Sequence, residues 1–465
     1  MLLQGPAQQP DWIGKPFVDL VGHVPQFTDL ENGLGGGYEV LLGFARHDRI
    51  KPDSTVALQS IRRTGADFAF CLSMESASHY RRWRMSGRTL TIAHTESSLA
   101  WGGQEIRIMA EMTGLRERGH RMLLAAPTES LILQRAVEAG FEVLALQNSK
   151  WSLPGNAFRL ADWLGRHQVD VVNPHSSRDG WAAGIGGRLA GVPLIIRSRH
   201  FDVPFGARLF SRAVYTRLAD HLITTSPVVS ANFRRAYALG GDRVSTIPTG
   251  VDLSAFQPDG PKADFAAPRG QGRWPLVGMV AVLRRAKGHV HMVKAARILH
   301  DQGMPIRLLF VGDGPSKAPI VDEISRCQLE KAVTFAGHRD DIPAVLRSLD
   351  CAAFPSLREC IPQGAMQAMA CGVPVLGSDT GGIPSVIRDG RTGRIFPAGD
   401  SEALADSLAS VFKQRQRTEK LRQQALRYVR EQHGLPGMLD RLESLYARLL
   451  SDCNGAGLCE TVPAA

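Results

Sequence analysis

The amino-acid sequence predicts an α/β protein with two Rossmann-like, doubly wound domains that face a central cleft. Three observations support this fold class. At 465 residues the chain is longer than one hydrophobic core usually supports. Short apolar runs alternate with amphipathic stretches in two separate series, as in βα units that form parallel sheets. A segment rich in proline and glycine, residues 256–274, separates the two series and is predicted to be a linker.

The first series predicts an N-terminal Rossmann-like domain over residues 89–255. Its apolar runs lie at residues 89–93, 122–126, 169–172, 193–196 and 221–224. Each run has the length of a buried strand and precedes a plausible helix, the first of which begins near Glu105. These segments predict one parallel sheet covered by helices.

The second series predicts a C-terminal Rossmann-like domain over residues 256–435, the linker included. Its apolar runs lie at residues 275–280, 306–311, 333–335, 350–354 and 374–376. Residues 436–450 predict a closing helix, and residues 451–465 a disordered tail. Two such domains in tandem leave a crevice between the carboxyl ends of their sheets, where open α/β folds bind ligands.

Residues 1–88 are predicted to be a poorly structured N-terminal extension. The opening is rich in proline, glycine and glutamine, and the glycine triplet at residues 35–37 is followed only by short apolar stretches. An alternative is that the biological start is Met85, just before the first strand.

The charge balance indicates an anionic ligand. Lysine and arginine outnumber aspartate and glutamate by 55 to 45, which gives a formal net charge of +10. Such a surface attracts sugar nucleotides, anionic lipid or nucleic acid. The positive charges are scattered, with no long basic run and no base-stacking aromatic motif, so we expect no nucleic-acid partner.

The cysteines and the hydropathy predict a reduced, cytoplasmic chain. The seven cysteines are odd in number and form no CxxC pair. No apolar run approaches the roughly 20 residues that span a bilayer, and the first 20 residues lack the order of a secretory signal. Any membrane contact is therefore expected to be peripheral.

The segment at residues 355–377 has the most specific pattern in the chain. A strand is predicted to end at Phe354, a loop carries Glu359, and a helix begins near Pro362 or Gln363. Free backbone N–H groups and the positive dipole at a helix start suit a diphosphate group. Gly372 is placed to end that helix before the next strand.

This segment resembles the donor-site signature of the retaining GT-B glycosyltransferases of family 4, also called glycosyltransferase group 1. The resemblance implies that Glu359 is a catalytic residue that contacts the donor sugar. Ile361, Pro362 and Gln363 are predicted to bind the donor nucleotide. The family has an acidic residue for the ribose eight positions after the first acid, where this chain has Gln367. An amide can bind a ribose hydroxyl without the charge assistance of a carboxylate.

Two further turns in the second domain resemble the same family. Residues 281–288 end in Lys287 and Gly288 and carry Arg284; Lys287 and Arg284 are predicted to neutralise the diphosphate, and Lys287 is also counted as catalytic. The usual arginine of the family is Val282 here, and either Arg284 or Arg285 is expected to take its place. Gly312, in the turn after the next strand, is expected to shape the nucleotide pocket.

The first domain is expected to hold the acceptor side of the cleft. Gly102 and Gly103 resemble the family's glycine loop, which closes over donor and acceptor, and they open a predicted helix. His175 and His200 are predicted to lie at the same carboxyl edge of the sheet. The resemblance implies a catalytic position for His200, and His175 and Arg199 are predicted to contact the acceptor or the sugar.

The resemblance implies a retaining transfer from a UDP-, GDP- or ADP-sugar to a hydroxyl of a glycan or glycolipid, such as a lipopolysaccharide precursor. The chain has no Asp-x-Asp sequence, so neither an obligatory metal nor a cofactor is expected. The arginine-rich stretch at residues 208–217 suggests peripheral contact with an anionic inner membrane face. Two alternatives are a sugar-nucleotide epimerase or hydrolase on the same fold, and a non-catalytic sugar-nucleotide binding protein.

Overall fold

The computed structural model describes residues 38–39, 62–63, 89–149, 152–200, 209–265 and 274–456. Most of the predicted extension at residues 1–88, including the alternative start, lies outside these ranges. Its described part is a short antiparallel pair of β1 (Tyr38–Glu39) with β2 (Arg62–Arg63).

The first domain is a seven-stranded parallel sheet in the order β5-β4-β3-β6-β7-β8-β9. Its strands are β3 (Thr91–Thr95), β4 (Arg121–Pro127), β5 (Glu142–Leu146), β6 (Val171–Pro174), β7 (Leu194–Arg199), β8 (His221–Thr224) and β9 (Val244–Thr246). Its helices are α1 (Gly103–Glu117), α2 (Leu131–Glu138), α3 (Leu153–Arg166), α4 (Ser177–Leu189), α5 (Leu209–Thr216) and α6 (Pro227–Tyr237). Helices cover both faces, which is why the inner strands are continuous apolar runs.

The second domain is a six-stranded parallel sheet in the order β12-β11-β10-β13-β14-β15. Its strands are β10 (Leu276–Val280), β11 (Arg307–Val311), β12 (Val333–Gly337), β13 (Cys351–Phe354), β14 (Val375–Ser378) and β15 (Arg394–Phe396). Its helices are α7 (His289–Asp301), α8 (Lys317–Arg326), α9 (Ile342–Arg347), α10 (Gln363–Ala370), α11 (Ile383–Val386), α12 (Ser401–Lys413) and α13 (Arg415–Gln432).

Both sheets confirm the predicted fold class of two Rossmann-like, doubly wound domains. In each sheet the strand order reverses between two central neighbours, β3 and β6 in the first and β10 and β13 in the second. Ligands of such folds bind outside the carboxyl ends of the strands at this reversal. The two reversal points therefore define where a site should lie.

The predicted linker is attached to the second domain along its described part, residues 256–265. Arg347 of α9 donates hydrogen bonds to the carbonyl oxygens of Pro261 (2.8 Å) and Gln257 (3.1 Å). The backbone N–H of Ala263 donates to the carbonyl of Ala344 at 3.0 Å. This segment therefore lies against α9.

The chain passes between the domains twice, and the two passages lie side by side. The N–H of Val251 donates to the carbonyl of His433 (2.7 Å), and the N–H of Leu435 donates to the carbonyl of Val251 (2.9 Å). A Cβ at Gly250 would lie 2.7 Å from the Cα of Leu435, so glycine allows this approach. The second passage leads into the last helix.

The last helix, α14 (Leu435–Ala456), returns to the first domain and corrects two predictions. It is longer than the closing helix expected at residues 436–450, and the first six residues of the expected disordered tail are helical. The reason is that its buried apolar face continues to Leu450. Residues 457–465 of the predicted tail lie outside the described part of the chain.

Helix α14 is held to the first domain by Glu443. Its carboxylate accepts hydrogen bonds from Arg118 (2.5 Å) and from His120 (3.1 Å). Burial by itself raises the pKa of Glu443, but these hydrogen bonds outweigh burial and hold the pKa below its usual value. Leu439 packs so closely on α1 that a Cβ at Gly114 would lie 2.4 Å from its side chain.

In the part of the chain that the structure describes, no helix combines the length and the hydrophobicity needed to cross a bilayer.

We expect Glu443→Gln to lower the free energy of unfolding at pH 7 by about 1–3 kcal/mol, because Arg118 and His120 would lose a buried charged acceptor. Urea unfolding followed by circular dichroism measures this change.

Glu142→Gln is the matched control, because Glu142 also contacts an arginine, Arg121 (2.7 Å), and a histidine, His167 (3.0 Å). Its side chain is 44% exposed, whereas that of Glu443 is 7% exposed. We expect a loss below about 0.5 kcal/mol for the control. Equal losses in the two variants would contradict the role assigned to Glu443.

Candidate active site

A cleft of about 630 Å³ lies where the carboxyl ends of the two sheets meet. Most of the residues singled out in the sequence line it: Gly102, Gly103, His200, Arg284, Lys287, Gly312, Glu359, Ile361, Pro362, Gln363 and Gln367. They come from both domains and from loops far apart in the chain. The fold thus brings these predicted site residues together.

The loop between β13 and α10 forms the floor of the cleft. Strand β13 ends at Phe354, as predicted, and α10 begins at Gln363 with Pro362 as its N-cap. The first turn of α10 therefore offers backbone N–H groups to the cleft. The φ of Gly372 is +70°, which lets the chain leave the helix in a left-handed conformation.

Glu359 and Lys287 form an ion pair inside the cleft. The Glu359 carboxylate also accepts the N–H of Cys360 (3.2 Å) and the hydroxyl of Ser356 (3.4 Å). The side chain of Glu359 is 7% exposed and that of Lys287 is 24% exposed. An anionic ligand in the cleft would compete with Glu359 for the lysine.

Lys287 is positioned by close backbone contact with the Glu359 loop. It ends a 3₁₀ turn, and Gly288 follows with a φ of +77°. A Cβ at Gly288 would lie 1.8 Å from the carbonyl oxygen of Pro355, and the N–H of Leu357 donates to Ala286 (2.7 Å). Glycine at this position therefore permits the lysine turn and the carboxylate loop to touch.

A second glycine contact, which the sequence analysis missed, supports the Glu359 loop from the other side. Cβ atoms at Gly381 and Gly382 would lie 1.7 Å and 1.8 Å from the carbonyl oxygens of Glu359 and Cys360. The N–H of Gly382 donates to the carbonyl of Glu359 at 3.2 Å. The signal was present in the sequence as a glycine pair just after β14.

The glycine loop of the first domain meets α10 across the cleft. The N–H of Gly102 donates to the Glu105 carboxylate at 2.9 Å, which caps α1. A Cβ at Gly103 would lie 3.0 Å from the side-chain oxygen of Gln363. Val282, which stands where the family has arginine, lies 3.9 Å from the Cβ position of Gly102. The starts of α1 and α10 therefore converge on one space.

The residues predicted to bind the nucleotide line the part of the cleft that the second domain forms. Arg284 is exposed and Gln367 is half-buried, and both line the cleft. Gly312 has a φ of +126°, and a Cβ there would lie 2.4 Å from the carbonyl oxygen of Ala281. Glycine at residue 312 thus keeps the ends of β10 and β11 close together.

The structure places His175 and Arg199 outside the described lining of the cleft. His175 lies behind His200 and does not line the cleft, because its Nδ1 contacts Nε2 of His200 (2.9 Å) and its Nε2 contacts Nδ1 of His94 (2.7 Å). Arg199 is 7% exposed and is not among the described cleft-lining residues. Of the three, His200 is the residue placed to meet a ligand directly.

Burial keeps these histidines neutral. It holds the pKa of His175 and of His200 well below the ordinary histidine value, and neighbouring charges lower both further. Burial also lowers the pKa of His94, against the opposing effect of the Glu111 carboxylate.

Glu96 is a second site residue that the sequence analysis missed. It is fully buried beside the cleft and accepts the N–H groups of Ser97 and Ser98, each at 2.7 Å. Burial first, and the nearby Asp179 carboxylate second, raise the pKa of Glu96 to about 7. Glu96 also lines a smaller cavity of about 190 Å³ behind the cleft. Its sequence signal was an acidic residue directly after β3.

One group of described side chains has the composition of a metal site, namely His94, Glu111 and His175. Nδ1 of His94 already contacts Nε2 of His175, and one carboxylate oxygen of Glu111 pairs with Arg107 at 2.6 Å. A guanidinium so close opposes a divalent cation. These residues therefore fit a metal poorly, and the absence of an obligatory metal stays a prediction.

Arg135, which lines the cleft, connects the first domain to the second. The guanidinium of Arg135 lies 4.1 Å from the centre of the Trp101 ring. Arg135 also contacts Asp340 of the second domain at 3.4 Å. Because Asp340 is largely exposed, this pair contributes little to stability.

Two family models match the chain, one on each sheet domain. The model described as Glycosyltransferase Family 4 matches residues 101–255. The model described as Glycosyl transferases group 1 matches residues 263–428.

Curated relatives match the chain to different extents. The N-acetyl-alpha-D-glucosaminyl L-malate synthase of Bacillus anthracis is 32% identical over 174 residues, which are 37% of this chain and 45% of that protein. A D-inositol 3-phosphate glycosyltransferase of Corynebacterium efficiens is 25% identical over 395 residues, 79% of this chain and 92% of that protein. The chain spans about half the length of the Bacillus relative and of a Nocardia farcinica D-inositol 3-phosphate glycosyltransferase.

Among solved structures, Anabaena HepE in complex with UDP and glucose superimposes with a TM-score of 0.67. The identity is 19%, and the superposition covers 76% of this chain and 98% of that one. At this identity the likeness shows a shared fold.

We expect Gly381→Ala to lower the free energy of unfolding by about 2–5 kcal/mol, because the substitution combines a φ of +56° with a clash against Glu359. Gly390→Ala is the control, since Gly390 has a φ of +67° and open space at its Cβ position. Its cost should be about 1 kcal/mol. If denaturant unfolding gives the same loss of unfolding free energy for both variants, the contact of Gly381 with Glu359 is not tight.

Proposed function

The chain belongs to the group 1, family 4 class of GT-B glycosyltransferases, and from this we propose that it transfers a glycosyl group from a nucleotide-diphosphate sugar to a hydroxyl group of an acceptor. The observation that carries the proposal is the Lys287–Glu359 pair beside the start of α10, in the cleft between two Rossmann-like domains.

The proposed donor site divides the sugar nucleotide among residues of the second domain. Lys287, Arg284 and the first turn of α10 at Gln363 bind the diphosphate, because they supply positive charge and free N–H groups. Gln367 binds the ribose, and Glu359 orients the donor sugar. The donor carries UDP, GDP or ADP, and the UDP complex of Anabaena HepE makes UDP the first to test.

The proposed reaction breaks the bond between the anomeric carbon and the diphosphate oxygen. Lys287, Arg284 and the α10 dipole stabilise the negative charge that develops on the leaving diphosphate. The acceptor hydroxyl attacks from the leaving-group side, so the anomeric configuration is retained. Its proton goes to an oxygen of the leaving phosphate. No cofactor or metal takes part in this scheme.

The proposed acceptor is a hydroxyl of a glycan or glycolipid, such as a lipopolysaccharide precursor. The names of the relatives give smaller anionic compounds, malate and inositol phosphate, for those proteins. Exposed Arg212, Arg217 and Arg235 on the first domain support peripheral contact with an anionic membrane.

Calorimetric titration of UDP, GDP and ADP without metal tests the donor site. We expect one nucleotide to bind, and Lys287→Ala to weaken it by about 10- to 100-fold, because a charged hydrogen bond to phosphate is lost. Lys294→Ala is the control, since Lys294 lies exposed on α7, the helix that follows the Lys287 turn, and outside the cleft. Absence of binding to folded protein would overturn the proposed function.

Release of nucleotide from the donor separates transfer from the alternative activities. We expect release to require an acceptor, and Glu359→Gln to reduce it by about 10²–10³-fold. The same variant should bind the free nucleoside diphosphate more tightly, since its carboxylate no longer competes for Lys287. Release of nucleotide without an acceptor would indicate a hydrolase or epimerase. If no nucleotide is released with any acceptor, the chain is a binding protein.

A further inference from the structure

Three histidines form a continuous row at the carboxyl edge of the first sheet. His94 is in β3, His175 follows β6 and His200 follows β7, so the row crosses three adjacent strands. The hydrogen bonds are His94 Nδ1 to His175 Nε2 (2.7 Å) and His175 Nδ1 to His200 Nε2 (2.9 Å). The ring centres are 5.0 Å and 5.1 Å apart. This histidine row leads from the cleft into the domain core.

The row has only two possible directions of hydrogen bonding. A neutral imidazole carries one N–H donor and one acceptor nitrogen. Each of the two hydrogen bonds therefore links the tautomers of the two rings that it joins. Either all three rings carry the proton on Nε2, or all three carry it on Nδ1. Nε2 of His200 contacts His175, so Nδ1 is the nitrogen left for a ligand. The direction of the hydrogen bonds therefore decides whether this Nδ1 donates to a ligand or accepts from it.

The buried end of the row meets the carboxylate of Glu111. One carboxylate oxygen of Glu111 lies within 4.8 Å of a ring nitrogen of His94. Nε2 of His94 and Oε2 of Glu111 are both buried, and neither has a hydrogen-bond partner among the described residues. Because the two side chains approach within 4.8 Å, a small shift or one bridging water would give both unpartnered atoms a hydrogen bond.

A carboxylate can only accept hydrogen bonds, so Glu111 favours the tautomer of His94 that carries its proton on the unpartnered Nε2. The reverse arrangement would place the unprotonated Nε2 of His94 against the carboxylate in a site of low dielectric, which is unfavourable. The other charge that acts on His94 is Arg107, which is bound to Glu111 at 2.6 Å, to the carbonyl of Ile247 and to Thr249.

We propose that Glu111 fixes the direction of the histidine row, so that His94, His175 and His200 all carry their proton on Nε2 and His200 presents an unprotonated Nδ1 to the cleft. Glu111, His94 and His175 are then positioning residues that act through His200. Asn173 and Tyr446 also have buried polar atoms; Tyr446 interacts with Glu111 and Asn173, and Glu111 is the charged acceptor of this set.

An unprotonated Nδ1 makes His200 a hydrogen-bond acceptor. It selects a hydroxyl group of the bound sugar or acceptor over a carbonyl or phosphate oxygen, which offers no proton. The identity of that hydroxyl rests on the proposed function. The tautomer does not, because it follows from contacts within the protein.

Multiple-bond ¹H–¹⁵N correlation spectra of the full chain labelled at histidine nitrogen test the assignment. His200→Gln, His175→Gln and His94→Gln identify the three signals by loss. We expect each ring to show a protonated, pyrrole-type Nε2 and an unprotonated, pyridine-type Nδ1. A protonated Nδ1 at His200, or an imidazolium, would overturn the proposal.

Glu111→Gln tests the anchor, because it removes the charge while keeping the shape of the side chain. We expect loss of the single tautomer at His200 and a mixture of both. Glu443→Gln is the matched control, since Glu443 is also a buried carboxylate that contacts a histidine but lies outside the histidine row. An unchanged His200 spectrum in folded Glu111→Gln would overturn the role of Glu111.

The same labelled sample separates this proposal from the proposed function. Titration with UDP, GDP and ADP reports donor binding by shifts of the other histidine signals, such as that of cleft-lining His338. The Nε2 tautomer without nucleotide binding would support the histidine row and count against the donor site. Nucleotide binding together with a protonated Nδ1 at His200 would support the donor site and count against the proposal for the histidine row.

Discussion

The two backbone hydrogen bonds of Val251 with the segment at residues 433–435 hold the rest of the architecture in place. They fix the outgoing and returning passages of the chain beside each other. The return brings α14 back onto α1, where Glu443 meets Arg118 and His120. The carboxyl ends of the two parallel sheets face one cleft, which residues of both domains line.

The cleft divides its chemistry between the domains. The second domain supplies the charges, Lys287 and Glu359, and holds them by glycine contacts that no larger residue would permit. From the first domain His200 lines the cleft, with a pKa that burial holds well below the usual histidine value. A ligand therefore meets an ion pair on the second-domain wall and an imidazole on the first-domain wall.

Much of this could be predicted from sequence because the signals are local. The Glu359 loop and the start of α10 are contiguous, and the apolar runs mark most of the inner strands. Strands β5, β9 and β15 were missed, since each lies at the edge of its sheet and is partly exposed. The burial of His175, the partners of Glu111 and the pKa of Glu96 depend on residues distant in the chain, and no local pattern contains them.

The return of α14 makes the first domain discontinuous in the chain. Its sheet is complete at residue 246, but the helix that covers α1 is translated only after the whole second domain. A ribosome therefore releases the second domain's elements while the first domain still has an uncovered apolar surface near Gly114 and Leu115. The first domain therefore gains its full cover on α1 only once α14 has emerged, after all of the second domain.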